Sequence, residues 1–159
     1  MFREFVRRAG HTRLMSRLGP LWAPVDRLIG RLTRGRVVAL GIVPSVLLTT
    51  TGRTTGRPRR SALLYVADGD AFVVIGSNWC RTVHPAWVRN LLADPRATVT
   101  TGGESLPVRA HLVTGPDRTR LWDLATRVWP AYDTYARRAG DRDIRVFRLE
   151  RLPDHLPSA

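Results

Sequence analysis

The sequence predicts a small, mostly antiparallel β-barrel of six strands with interspersed helices, an α+β fold. Three observations lead there. Apolar and polar residues alternate in short runs from Ser45 to Leu152, the period of half-buried strands. Four of these runs form two pairs joined by tight glycine turns, Asp68-Gly69 and Gly102-Gly103, which read as hairpins. Helical spacing is confined to short stretches between the runs.

Residues 1–36 form a segment of their own. Leu14, Met15, Leu18, Leu21, Trp22, Val25, Leu28, Ile29 and Leu32 follow the stripe of an amphipathic helix, which Pro20 and Pro24 divide. Nine arginines and two acids, Glu4 and Asp26, share it, so an anionic membrane surface is one partner. A helix packed on the barrel or on a second subunit is the other reading. The barrel domain is expected over 37–152. "SVLLTTTG" is the first strand, and "SALLYVADGDAFVVIGSN" is a hairpin. "HPAWVRNLLADP" is a helix that Pro85 starts and Pro95 stops. "RATVTTGGESLPVRAHLV" is the second hairpin and "GPDRTRLWDLATRVW" a helix, with Leu121, Leu124, Ala125 and Val128 facing inward. "IRVFRLERL" is the last strand, and residues 153–159 are a tail.

At 159 residues and 43% hydrophobic, the chain can bury a core as one domain. Its net charge of +13, all of the basic residues being arginine, predicts attraction to an anion. Cys80 is the only cysteine, which excludes an intramolecular disulfide and fits a reducing, cytoplasmic compartment. The four histidines show no metal-ligand spacing, so no metal is expected. A transmembrane helix is not expected, because the longest uncharged run, Val37 to Gly52, is short and contains a proline. Nucleic acid is disfavoured as a partner: the arginines are spread along the chain without a recognition motif.

The concentrated chemistry is in "TTTGRTTGRPRRS". Gly52 and Gly56 permit left-handed backbone and close approach of a ligand, and exposed amides there can point at an anion. Arg53, Arg57, Arg59 and Arg60 offer guanidinium forks for phosphate or carboxylate. The bend is not a phosphate loop of the nucleotide-hydrolase kind, since it has no lysine and leads into a strand. A solvated arginine-rich turn is the structural alternative.

Four motifs in order, "TTTGRTTGRPR", "LLYV.DGD.FVVIGSN", "HPAWVRNLLADP" and "VWPAYDTYARR", resemble the deazaflavin-dependent nitroreductase family of actinobacteria over roughly residues 40–150. The resemblance implies a six-stranded split β-barrel of the flavin-reductase, FMN-binding type. It implies coenzyme F-420, a hydride carrier with a phosphate and an oligoglutamate tail. By position, Arg53, Thr54, Thr55 and Arg59 match the tail-binding loop, and Arg60, Ser61, Ala62, Leu63 and Leu64 match the backbone along the deazaflavin. Ile75, Gly76, Ser77 and Asn78 match the edge of the ring pocket, and Trp87 and Asn90 the helix contacts. Tyr132 and Tyr135 match the substrate-side aromatics. Two departures stand out. Thr54 occupies a common lysine position, leaving Arg57 or Arg60 to replace that cation, and Trp79-Cys80 put bulk where small glycines are usual.

The implied activity is hydride transfer from reduced deazaflavin to a small hydrophobic electron-poor acceptor: a quinone, an activated alkene or a nitro compound. Ser77 and Tyr132, with Tyr135 beside them, are the expected catalytic hydroxyls, stabilising a developing oxyanion. Each has a structural alternative, as a strand end or as core aromatics. An FMN-dependent oxidoreductase of the same fold, and a non-catalytic module binding F-420, membrane or nucleic acid, are the rival functions. A homodimer is compatible with all of them.

Overall fold

The computed structural model describes residues 44–78, 83–140 and 143–153. The expected N-terminal helix, Trp79-Cys80 and all of the tail but Pro153 lie outside the described residues.

Six antiparallel strands close a barrel: β1 Ser45–Thr51, β2 Pro58–Asp68, β3 Ala71–Ile75, β4 Arg96–Thr101, β5 Glu104–Val113 and β6 Val146–Arg151. Their order round the barrel is β1-β2-β3-β6-β5-β4, with β4 returning to β1. Among the described residues three helices are inserted: α1 Ala86–Ala93 between β3 and β4, and α2 Gly115–Val128 and α3 Ala131–Arg138 between β5 and β6.

The two faces of the strands go to two apolar clusters, as a period of two requires. Val46, Leu48, Phe72, Val74, Val99, Val108, Phe147 and Leu149 fill the barrel interior, and Trp87, Val88 and Leu91 of α1 join them. Val66, Val73, Ile75 and Val146 form the opposite cluster with Leu121 and Ala125 of α2 and Ala131, Tyr132 and Tyr135 of α3. Phe147, Leu48, Leu121 and Leu149 are fully buried, and each such side chain stabilises the fold by about 1.5–3 kcal/mol.

Three expectations need correction. The first hairpin turns on Gly69-Asp70, because Asp68 pairs with Ala71, and Gly69 alone takes positive φ, at 60°. The Gly102-Gly103 turn stands as expected, with both glycines at positive φ. β2 begins at Pro58, so Arg59 and Arg60 belong to a strand rather than to the bend. Pro58 is tolerated because it opens the strand. Finally, residues 131–138, to which no element was assigned although Trp129, Tyr132 and Tyr135 recur every three residues, form a helix.

β2 is the long strand that serves two neighbours. Its first part, Pro58–Leu64, pairs with β1, and its last part, Tyr65–Asp68, pairs with β3. Beyond Ile75, β3 gives way to Gly76, whose N–H donates to the Arg145 carbonyl at 2.9 Å. A Cβ on Gly76 would come within 2.9 Å of Val88, so glycine here lets α1 pack close to the end of β3. Among the described residues, the edge of Pro58–Leu64 that faces away from β1 therefore has no strand partner.

Candidate functional site

The bend joining β1 to β2 is closed by its own backbone. Gly52 donates to the Arg57 carbonyl at 2.9 Å, and the N–H groups of Thr55 and Gly56 both donate to the Gly52 carbonyl. Gly56 takes φ 65°, and Gly52 is fixed by space: a Cβ would lie 2.9 Å from Thr55 Oγ1 and 3.0 Å from the Arg57 carbonyl.

Asn90 of α1 ties the bend to the helix. Its Oδ1 accepts from the Arg53 N–H at 3.1 Å, and its Nδ2 donates to Thr50 Oγ1 at 3.0 Å. The Thr50 hydroxyl donates in turn to the Arg59 carbonyl at 3.5 Å. Asn90 and Thr50 are both buried, so these contacts satisfy groups that would otherwise be costly. Asn90, expected to contact a ligand, thus has its carboxamide engaged in positioning the bend. The Arg57 N–H donates to Thr55 Oγ1 at 3.4 Å. The amides of Gly52, Arg53, Thr55, Gly56 and Arg57 are all occupied, which corrects the expectation of a backbone cradle for an anion.

What the bend does present is guanidinium. A groove of about 930 Å³ runs between the bend, the start of β2 and α1, lined by Gly52, Arg53, Thr54, Thr55, Arg57, Pro58, Arg59, Arg60, Ser61, Ala86, Trp87, Arg89 and Asn90. Five arginines line it and no acid does. Among the described residues, none of the five makes an ion pair. Trp87 is 5% exposed and packs edge-on against Phe147, with ring centroids 5.8 Å apart, so it serves core and groove together.

The structure thus brings Arg53, Thr54, Thr55, Arg59, Arg60, Ser61, Trp87 and Asn90 to one groove. Ala62, Leu63 and Leu64 continue along β2 outside its lining, with Leu64 on the face opposite the barrel interior. Ile75 is buried against α2 and α3. Asn78, at φ 50°, donates its Nδ2 to the Val83 carbonyl at 2.7 Å and closes the loop before α1.

The acceptor-side residues do not line the groove. Ser77 follows β3, its N–H bonded to the Ile75 carbonyl. Tyr132 and Tyr135 are 4% and 3% exposed in α3, with ring centroids 6.2 Å apart at 83°. Burial, with Tyr135 adding to it, raises the Tyr132 hydroxyl well above the ordinary tyrosine pKa. Tyr132 borders a small depression with Pro44, Leu64, Tyr65, Val66, Val128 and Trp129.

Three residues of the groove escaped the sequence reading, Pro58, Ala86 and Arg89. For Arg89 a signal existed, since Ala86, Arg89 and Asn90 are spaced i, i+3, i+4 and share one helix face. Among the described residues there is no cluster of metal-ligating side chains and no helix long and apolar enough to cross a membrane.

Residues 26–151 match the family described as F420H(2)-dependent quinone reductase. An enzyme of that description from Mycobacterium tuberculosis is 38% identical over 100 residues, covering 60% of this chain and 67% of that protein. A putative second one from the same organism is 30% identical over 92 residues, covering 58% and 77%. The solved structure of an F420-H2 dependent reductase superposes with a TM-score of 0.62 at 34% identity, covering 67% of this chain and 94% of its own. Another, described as a domain-swapped dimer, gives 0.64 at 30% identity, covering 80% and 100%.

Proposed function

The chain belongs to the F420H(2)-dependent quinone reductase family, and from that premise we propose that it holds coenzyme F-420 in the arginine groove and reduces a quinone-like acceptor. One observation carries the reading: the acid-free groove takes in the start of β2, a stretch of strand paired only with β1 among the described residues. These residues fit the coenzyme. Unneutralised guanidiniums suit its phosphate and glutamate carboxylates, and an open strand edge suits a flat heterocycle with polar atoms on its rim.

When bound, reduced F-420 supplies a hydride. The protein's part is to bind, orient and polarise. Arg53, Thr54, Thr55, Arg57 and Arg59 would hold the anionic end. The backbone of Arg60–Leu64 would align the ring, since its edge groups have no strand partner to satisfy them. Arg60, Ala62 and Leu64 share one face of β2, and Leu64 borders both that face and the depression at Tyr132. Arg60 to Leu64 is about 13 Å of strand, enough to separate the anionic end from the reacting end. Tyr132 is a protonated phenol at neutral pH, as any tyrosine is, and its hydroxyl is the proposed donor to an acceptor oxygen that gains charge. Tyr135 packs edge-on and fixes that ring, and Ser77 is the second hydroxyl of the acceptor side.

Parallel titrations with F-420 and FMN test this assignment. Saturable F-420 binding is expected, and binding of FMN alone overturns it. An acceptor screen with reduced F-420 then compares quinones, nitro compounds and activated alkenes, with quinones expected to turn over fastest. Tyr132→Phe should lower turnover by up to about 10²-fold with little change in F-420 affinity. An equal loss of affinity moves Tyr132 into the coenzyme site. Two further parts of the reading are a homodimer and contact of the basic segment 1–36 with anionic lipid. Sedimentation equilibrium and liposome co-sedimentation check them.

A further inference from the structure

We propose that Arg89 is a specificity-determining residue that reads how many anionic groups the ligand carries. The assignment rests on the coenzyme reading above. Arg89 is exposed on α1, the groove's helical wall, while the other four guanidiniums come from the bend and β2. Its own helix cannot neutralise it, since α1 contains no acidic residue. Asp94, just past the helix, is engaged by the side chain and backbone of Arg96.

The position of Arg89 is fixed by its neighbour. Asn90 bonds the Arg53 N–H and the Thr50 hydroxyl, so the helical wall is tied to the bend one residue away from Arg89. A groove of about 930 Å³ is large beside a single phosphate. One anion is satisfied by the bend's forks alone, because a guanidinium pairs with it bidentately. Only a ligand with further anions along a chain engages both walls. On the coenzyme reading above, that ligand is F-420 with its phosphate and several glutamate carboxylates, and Arg89 discriminates long chains from short ones.

The test is a fluorescence titration of wild type, Arg89→Gln and Arg89→Glu at low and high salt. Each is titrated with F-420 bearing its oligoglutamate tail and with a tail-free form that keeps the phosphate. Arg89→Gln should weaken the long-tailed form about 3-fold and Arg89→Glu about 10-fold, with little effect on the tail-free form. High salt should shrink both effects, since the site is open to water. Melting temperatures should stay near wild type because the residue is exposed. Equal losses for both ligands, or no loss for either, overturn the role of Arg89 and leave the coenzyme reading standing. A wild-type protein that binds neither ligand overturns the coenzyme reading and this assignment together.

Discussion

The two ends of β2 treat arginine in opposite ways. At its end, Asp68 accepts from Arg120 at 2.8 and 3.2 Å and from Arg148 at 2.9 Å. Arg148 also bonds Glu150, and nearby Arg118 holds Asp143 at 2.8 Å. At its start, Arg59 and Arg60 stand with Arg53, Arg57 and Arg89 around a groove without a carboxylate. The chain's charge of +13 cannot tell these sets apart, because partners rather than counts decide what an arginine does. Paired guanidiniums join β2 to α2 and β6 and contribute to the fold. Guanidiniums left without acids repel one another, a cost that an anionic ligand removes.

The largest expected break comes from Gly52→Ala. The new Cβ meets the Arg57 carbonyl and Thr55 Oγ1 inside a closed bend, and overpacking of that kind costs about 1–3 kcal/mol. F-420 affinity should fall about tenfold, and the melting temperature should drop as well. An unchanged titration curve shows that the bend does not hold the coenzyme.

Asp68→Asn should do the reverse, lowering stability by about 1 kcal/mol and leaving F-420 affinity intact; the figure is discounted because Arg120 is half exposed. Arg120 first, then Arg148, hold the Asp68 carboxyl at about 2 instead of the usual 3.8. A depressed carboxyl stabilises the folded state above pH 4 and loses that contribution as pH falls from about 4 through 2. Acid melts of wild type should therefore converge on those of Asp68→Asn near pH 2. Parallel curves throughout sink the pairing as a source of stability.

The smallest expected effect is a gain. Thr54→Lys adds a cation to the groove and should tighten long-tailed F-420 by up to about 5-fold, with the tail-free form nearly unchanged. Equal tightening of both forms places residue 54 at the phosphate instead.

Much of the scaffold that carries this contrast was legible in the sequence. The strands, the Gly102-Gly103 turn and the bend with Arg53 and Arg59 follow from alternation, glycine chemistry and charge. The start of β2 at Pro58 was hidden because "RPRR" has no apolar alternation; its strand state comes from pairing with β1. The helix at 131–138 was hidden because it is short and mixes charges with its buried Tyr132 and Tyr135. Which arginines are neutralised was beyond sequence reasoning, since Asp68 meets Arg148 across 80 residues. So was the engagement of the Asn90 carboxamide, which reaches Thr50 across 40 residues.

The most direct test sets the two ends of β2 against each other. F-420 binding is measured for wild type, the double variant Arg53→Ala/Arg59→Ala and Asp68→Asn, at low and high salt, with melting temperatures alongside. The groove variant should lose affinity severalfold at low salt, with the deficit shrinking at high salt and stability little changed. Asp68→Asn should lose stability and keep its affinity. If the groove variant melts early but binds normally, or the deficit ignores salt, those arginines shape the fold and do not wait for an anion.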